Sequence, residues 1–214
     1  MQAIEIKNVT KKFGSTADVA LRKVNLSVQS SQIVGIIGRN GSGKTVLMKC
    51  ICGFLPVDNG EISVYGKRVG KDVDFPDNIG VIIETPGFLP NFSGFNNLWQ
   101  LAKIRGKISK ENVRRAIKKV GLNPDDKKHV GKYSLGMRQR LGLAQAIMED
   151  PDLLILDEPM NGLDRESVAE IRAYLMELKK IGKTILLSSH SAEDIDILCD
   201  TVYEMNKGNI SKIK

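Results

Sequence analysis

Residues 38–45 read GRNGSGKT, and three glycines, a lysine and a threonine in that order suit a loop that grips phosphate. The glycines let the backbone turn tightly, so that successive N–H groups of Gly38, Arg39, Asn40, Gly41, Ser42 and Gly43 converge on phosphate oxygens. A helix that starts directly after the loop aims its positive end at the same oxygens. Lys44 then reaches the β and γ phosphates, and the Thr45 hydroxyl supplies a ligand for Mg²⁺. A chain of this length matches G-x-x-x-x-G-K-[ST] by chance on the order of 1% of the time. The apolar run IVGII before the loop and VLMKCICGF after it are the strand and helix that such a loop needs.

A second constellation lies in LLILDEP at 153–159. Four apolar residues make a buried strand whose end delivers Asp157 towards Mg²⁺ and Glu158 towards an attacking water. A buried strand ending in an acidic turn is common by itself, but beside a phosphate loop it points to hydrolysis of a nucleoside triphosphate. His190 closes another apolar run, TILLSSH, so its imidazole would surface at the sheet edge where parallel strands deliver ligands. The N-K-x-D run of guanine-specific proteins is missing, since the nearest string, NKGN at 206–209, ends in the wrong residue. ATP is therefore the expected nucleotide.

These groups need a scaffold that brings strand ends together. Short apolar runs predict strands over 4–9, 24–28, 33–38, 61–64, 79–83, 153–156, 184–188, 202–205 and 210–213. Helices are expected over 44–54, 96–105, 111–120, 135–148, 165–180 and 192–199. Val168, Ile171, Leu175 and Leu178 form one apolar helical face, which Asp164 is placed to cap. Alternation of strand and helix implies an α/β fold with a mostly parallel sheet covered on both sides. The stretch 84–150 carries no convincing strand and is expected to be a helical insertion.

With 214 residues, 42% hydrophobic and 27% charged, the chain is an ordinary globular protein, neither disordered nor fibrous. No apolar stretch approaches the roughly 20 residues that span a bilayer, and MQAIEIKNVTKKFG lacks the apolar core of a signal peptide, so a cytosolic location is expected. Cys50, Cys52 and Cys199 read as reduced packing residues. The net charge of +7 is local: residues 103–132 hold eleven Lys or Arg against three acids, Glu111, Asp125 and Asp126. That excess fits either the solvated face of surface helices or a face near anionic lipid or nucleic acid.

The segment YSLGMRQRLGLAQAI at 133–147, set just before LLILDEP and followed by NGLD and then His190, resembles the signature of ATP-binding cassette (ABC) proteins. The likeness runs from KKFG near the start to the last strand. It implies a P-loop NTPase (RecA-like) core with a mainly parallel sheet, an N-terminal antiparallel β subdomain and an inserted helical subdomain. Residues 1–84 and 151–214 would form the core with its β subdomain, and 85–150 the helical subdomain with the signature. The family implies that two cassettes pack head to tail, with each ATP held between the phosphate loop of one and the signature of the other. Ser134 and Gly136 would then offer a hydroxyl and an N–H to the γ phosphate across the interface, Phe13 would stack on adenine, and Asp164 would couple the two sites. Phe13 also fits a surface-loop or core role, and Asp164 a simple cap. The partners implied are transmembrane permease subunits and a second copy of the cassette or a related one. No nucleic acid is expected, and the cytoplasmic protein would sit peripherally on the inner face of the cell membrane. Phe88, Phe92, Phe95 and Trp99 would both flank the groove where the membrane partner docks and fill the core of a small helical subdomain, with at least one ring exposed.

The departures from the family pattern are informative. Val46 stands where a second hydroxyl is usual, which leaves its backbone N–H as the phosphate contact, and Leu135 and Met137 replace Gly and Gln in the signature. Glu84, in VIIETPGF, occupies the place of a glutamine that contacts Mg²⁺ and water, so it either puts a carboxylate near the metal or swings into solvent with no effect. This glutamate variant resembles cassettes of bacterial transporters that expel, or confer immunity to, peptide antibiotics such as lantibiotics and bacitracin. A transporter ATPase is thus expected. Two other classes stay open: a soluble ABC ATPase acting on nucleic acid or the ribosome, and an ATP-driven signalling switch on a membrane partner.

Overall fold

A computed structural model describes residues 1–14, 18–84 and 87–214. The chain opens with two long antiparallel strands, β1 (Gln2–Phe13) and β2 (Asp18–Gln29), which pair from Gln2 with Gln29 to Phe13 with Asp18. Alternation buries Ile4 and Ile6 of β1 and Leu26 and Val28 of β2 on one side. The strand β3 (Ile33–Ile37) follows, and residues 38–43 lead from it into α1 (Lys44–Ile51). β4 (Asn59–Val64) and the two-residue β5 (Lys67–Arg68) complete a four-stranded antiparallel sheet in the order β2-β1-β4-β5.

The chain then returns to the sheet of β3 with β6 (Ile79–Ile82) and leaves it for three helices, α2 (Gly94–Arg105), α3 (Lys110–Lys119) and α4 (Leu135–Ile147). β7 (Leu153–Asp157), α5 (Arg165–Lys180), β8 (Thr184–Ser188), α6 (Ala192–Leu198), β9 (Thr201–Asn206) and β10 (Asn209–Lys212) close the core. The second sheet has six strands in the order β10-β9-β3-β8-β7-β6, parallel except for the final β9–β10 hairpin. This is the expected architecture: a mainly parallel core sheet, an antiparallel sheet at the N-terminus, and helices inserted between β6 and β7.

Because successive strand residues face opposite ways, the core sheet feeds two apolar clusters. Leu154, Leu156, Ile185 and Leu187 pack towards the helices α4 and α5, while Leu153, Ile155, Val34 and Ile36 pack towards α1 and the antiparallel sheet. On α1, Leu47, Met48 and Ile51 are fully buried, each stabilising the fold by about 1.5–3 kcal/mol. The helix thereby holds the loop ahead of it against the sheet.

The inserted helices begin at side-chain caps. Ser93 accepts from the Asn96 N–H, Ser109 and Asn112 make a reciprocal capping box, and Ser134 accepts from the Met137 N–H. Buried Asn97 joins α2 to the approach loop through the N–H and carbonyl of Leu89. Among the aromatics of this region Phe92 is exposed, while Phe88, Phe95 and Trp99 pack against the main core.

β1 and β2 are twelve residues each, far longer than the apolar runs that announced them. Register shifts interrupt their ladder, and Asn8 sits at φ 51°, so the alternation breaks while the pairing continues. The expected boundary after Glu84 abuts residues 85–86, outside the described residues.

Candidate nucleotide site

Four strands of the parallel sheet end at one edge, and the functional side chains follow from that topology. The register sets Ile82 beside Leu156, Asp157 beside Ser188 and Ile36 beside Ser188. The loop after β3, the acidic pair at the end of β7, Ser189 and His190 after β8, and Glu84 after β6 therefore share one rim, where ligands bind in open α/β sheets.

Gly38 has φ +150°, and a Cβ on it would lie 2.3 Å from the Met205 carbonyl oxygen and 2.8 Å from Ser42 Oγ. Only glycine fits there. The loop is tied by the Ser42 N–H to the Arg39 carbonyl at 3.1 Å and by the Gly208 N–H to the Ser42 carbonyl at 2.9 Å. Gly43 stands at the start of α1 without a side-chain cap, so the first-turn N–H groups remain directed at the loop. Ser42 Oγ is buried and has no hydrogen-bond partner. Buried Lys44 arches back, donating from Nζ to the carbonyls of Gly38 at 2.6 Å and Arg39 at 3.3 Å. An orphan hydroxyl, uncapped amides and an ammonium around one loop fit a phosphate group. Val46 packs on the core below.

Thr45 Oγ1 donates to Asp157 Oδ2 at 2.6 Å, and Ser188 Oγ donates to Asp157 Oδ1 at 2.5 Å. Ser188 Oγ also accepts from the Glu158 N–H at 2.9 Å. One serine thus orients both carboxylate residues. Glu158 is held at φ +49°, and its Oε2 meets His190 Nδ1 at 2.8 Å. Its carbonyl accepts from Gln139 Nε2 of α4 at 3.1 Å. Behind them, buried Asp194 accepts from Ser189 Oγ at 2.8 Å and pairs with Arg172 of α5, bracing the segment that carries His190. A cleft of about 670 Å³ opens beside Glu158 and His190, with Asn161, Gly162 and Arg172 on its wall.

Among the described residues no group of three or more His, Cys, Asp or Glu is gathered as a metal cage. Thr45 and Asp157 nevertheless pair two hard oxygen donors at the mouth of the loop, a set that fits Mg²⁺ completed by phosphate oxygens and water. Glu84, the third expected metal ligand, stands at φ +61° after β6 with its Oε1 2.6 Å from Lys49 Nζ on α1.

Phe13, at the end of β1, is 44% exposed, with Lys11 Nζ 5.6 Å from its ring centroid. Ser134 caps α4 on the other flank and makes no hydrogen bond to the phosphate loop among the described residues. A Cβ on neighbouring Gly136 would lie 3.2 Å from the Gly162 carbonyl oxygen, so the signature rests on the turn after Glu158. Leu135 is 58% exposed and leans on Gly162. Asp164 caps α5 through the Ser167 N–H at 2.8 Å, and that bond holds its carboxyl below the usual range.

The sequence reading missed Ser188, Gln139, Lys49 and the Arg172–Asp194 pair. For Ser188 a signal existed: it stands at the end of TILLS, where register with LLILD sets it beside Asp157. For the others, partners are distant in sequence and no local pattern marks them.

The model of the ABC transporter family matches residues 21–161. A bacitracin transport ATP-binding protein of Enterococcus faecalis is 43% identical over 209 residues, covering 97% of this chain and 67% of that protein. A lantibiotic transport ATP-binding protein of Streptococcus pyogenes is 35% identical, covering 97% of this chain and 88% of its own length. Among solved structures, a dimeric ATP-binding cassette in a post-hydrolysis state with ADP and Pi superposes with a TM-score of 0.87 at 23% identity, over 99% of both chains, a likeness of fold.

Proposed function

This chain belongs to the ABC transporter family and is an ATPase, and on that premise we propose that it powers a bacterial transporter that exports, or gives immunity to, peptide antibiotics of the bacitracin or lantibiotic kind. It works paired with a second cassette, identical or related, on separate membrane subunits at the cytoplasmic face. No helix among the described residues is long and apolar enough to cross a membrane, in keeping with a substrate path supplied by other chains.

The observation that carries the reading is the chain of contacts Thr45–Asp157–Ser188–Glu158–His190 at one sheet rim. Lys44 and the amides of residues 38–46 take the β and γ phosphates, while Phe13 stacks on the base. Mg²⁺, held by Thr45 and Asp157, would neutralise charge on the phosphate oxygens. Glu158, oriented by His190 Nδ1, positions a water for in-line attack on the γ phosphate, and Lys44 and His190 face the charge that develops there. Ser134 and Gly136 of the second cassette complete the site with a hydroxyl and an N–H. Both stand at the start of α4, its positive end, where Ser134 is exposed. Closure needs ATP, and loss of phosphate reopens the pair.

The test is co-purification with the membrane chains and reconstitution in vesicles. ATP turnover that rises with bacitracin or a lantibiotic supports the antibiotic class. Turnover that responds to neither, although the subunits assemble, excludes that class. Failure to capture any membrane chain overturns the transporter reading itself.

A further inference from the structure

The charge of this chain is lopsided in a way that ATP hydrolysis does not use. Residues 103–132 hold eleven of its cationic side chains and three acids, and the fold gathers most of them on the α2–α3 hairpin. Lys110 Nζ lies 5.6 Å from the Trp99 ring centroid and the Arg114 guanidinium 5.6 Å from that of Phe95. These contacts lay Lys110 and Arg114 of α3 along the rim of the α2 rings, while Lys110 and, two turns on, Lys118 stay exposed to solvent. On α2, Lys103 stands one turn after Trp99, Ile104 is 81% exposed, and Lys107 follows in the loop.

The cations differ in how they are used. Arg105 pairs with Glu149 and Arg114 with Asp125. Lys103, Lys107, Lys110 and Lys118 make no ion pair among the described residues, and the hairpin's own unpaired acid is Glu111. A nearly bare isoleucine among unpaired ammonium groups, with Leu101 also exposed a turn earlier, suits the boundary of a bilayer. There an aliphatic side chain enters the headgroup layer while lysines meet anionic phosphates. Nucleic acid gives Ile104 no seat, and the rings that would stack on bases, Trp99 and Phe95, are partly buried against the core.

We propose that the outer face of the α2–α3 hairpin, formed by Lys103, Ile104, Lys107, Lys110 and Lys118, docks on a bilayer that carries anionic lipid headgroups. This deepens the peripheral placement proposed above, and vesicles free of any membrane subunit keep its failure distinct from failure of the transporter reading.

Flotation of the full chain with phosphatidylcholine vesicles, alone or mixed with phosphatidylglycerol, is the test. Binding is expected to the mixed vesicles only, and to weaken as salt screens the charges. The triple variant Lys103→Gln/Lys107→Gln/Lys110→Gln loses on the order of 100-fold in partitioning, and Ile104→Ser loses several-fold at fixed salt. Lys67→Gln and Lys212→Gln, on other elements, leave binding unchanged, and unaltered ATP binding by the triple variant shows that its fold is intact. Equal binding to both vesicles, a triple variant that floats like the parent, or controls that weaken binding as much would each overturn the proposal. Absent vesicle binding together with capture of single-stranded RNA through the same lysines would overturn it in favour of a nucleic-acid surface.

Discussion

Glu84 Oε1 and Lys49 Nζ meet at 2.6 Å, one helical turn beyond Thr45 on α1. The Glu84 carboxylate is thus balanced by an ammonium on the same helix that follows the 38–43 loop. Left alone, a negative charge at this rim would oppose the γ phosphate.

Removing the balance should be measurable without turnover. Lys49→Met is expected to weaken ATP binding in the presence of EDTA by two- to five-fold, since a partly exposed pair contributes about 1 kcal/mol or less. Glu84→Gln in the same background restores it, and Lys49→Arg keeps it. Equilibrium titration with a fluorescent ATP analogue reads all three, and a Lys49→Met protein that binds like the parent refutes the charge-balancing role.

Glu158→Gln keeps the shape of the site but removes the charge proposed to orient water. Turnover is expected to fall by about 10²–10⁴-fold with ATP affinity retained, and the variant should elute as an ATP-dependent dimer in size-exclusion chromatography. His190→Ala removes the 2.8 Å contact to Glu158 and should lower kcat more than it raises KM. Full hydrolysis by Glu158→Gln would reassign the residue that handles water.

Ser134 Oγ accepts from the Met137 N–H at the start of α4, which leaves its exposed O–H free to donate, and it makes no hydrogen bond to residues 38–45 among the described residues. Ser134→Ala should therefore abolish most turnover alone yet recover part of it when mixed with wild-type protein, which supplies an intact signature to one site of each mixed pair. Mixtures whose rate is merely the sum of the separate proteins would mean the site is not shared between copies.

The residues that announced the site are those whose chemistry is local in sequence. GRNGSGKT carries its own glycine geometry, and LLILDEP carries strand and acid together, so both were legible, as was the alternation that produced the parallel sheet. Ser188 was not, because a serine ending an apolar strand looks like core until strand register places it on Asp157. Lys49 resembled any surface lysine, and its meaning depends on Glu84, 35 positions away. β5 is only two residues long, below the reach of any periodicity.

The cysteines make a last case, in which burial alone sets the outcome. Cys50, Cys52 and Cys199 are buried, and desolvation pushes their thiols up to about 11, about 12 and about 12. Near pH 7.5 almost none is thiolate, so a thiol reagent should leave the folded protein unmodified and react with all three only after denaturation. The linkage runs the same way: folded values above the unfolded one favour the fold below about pH 8.5 and lose that contribution as pH climbs towards 11 and 12. Tm should hence fall above about pH 9. A Cys52→Ala variant, with one thiol fewer to ionise, should show a shallower decline, and rapid labelling of native protein at neutral pH, with its circular dichroism intact, would contradict the burial of these three thiols.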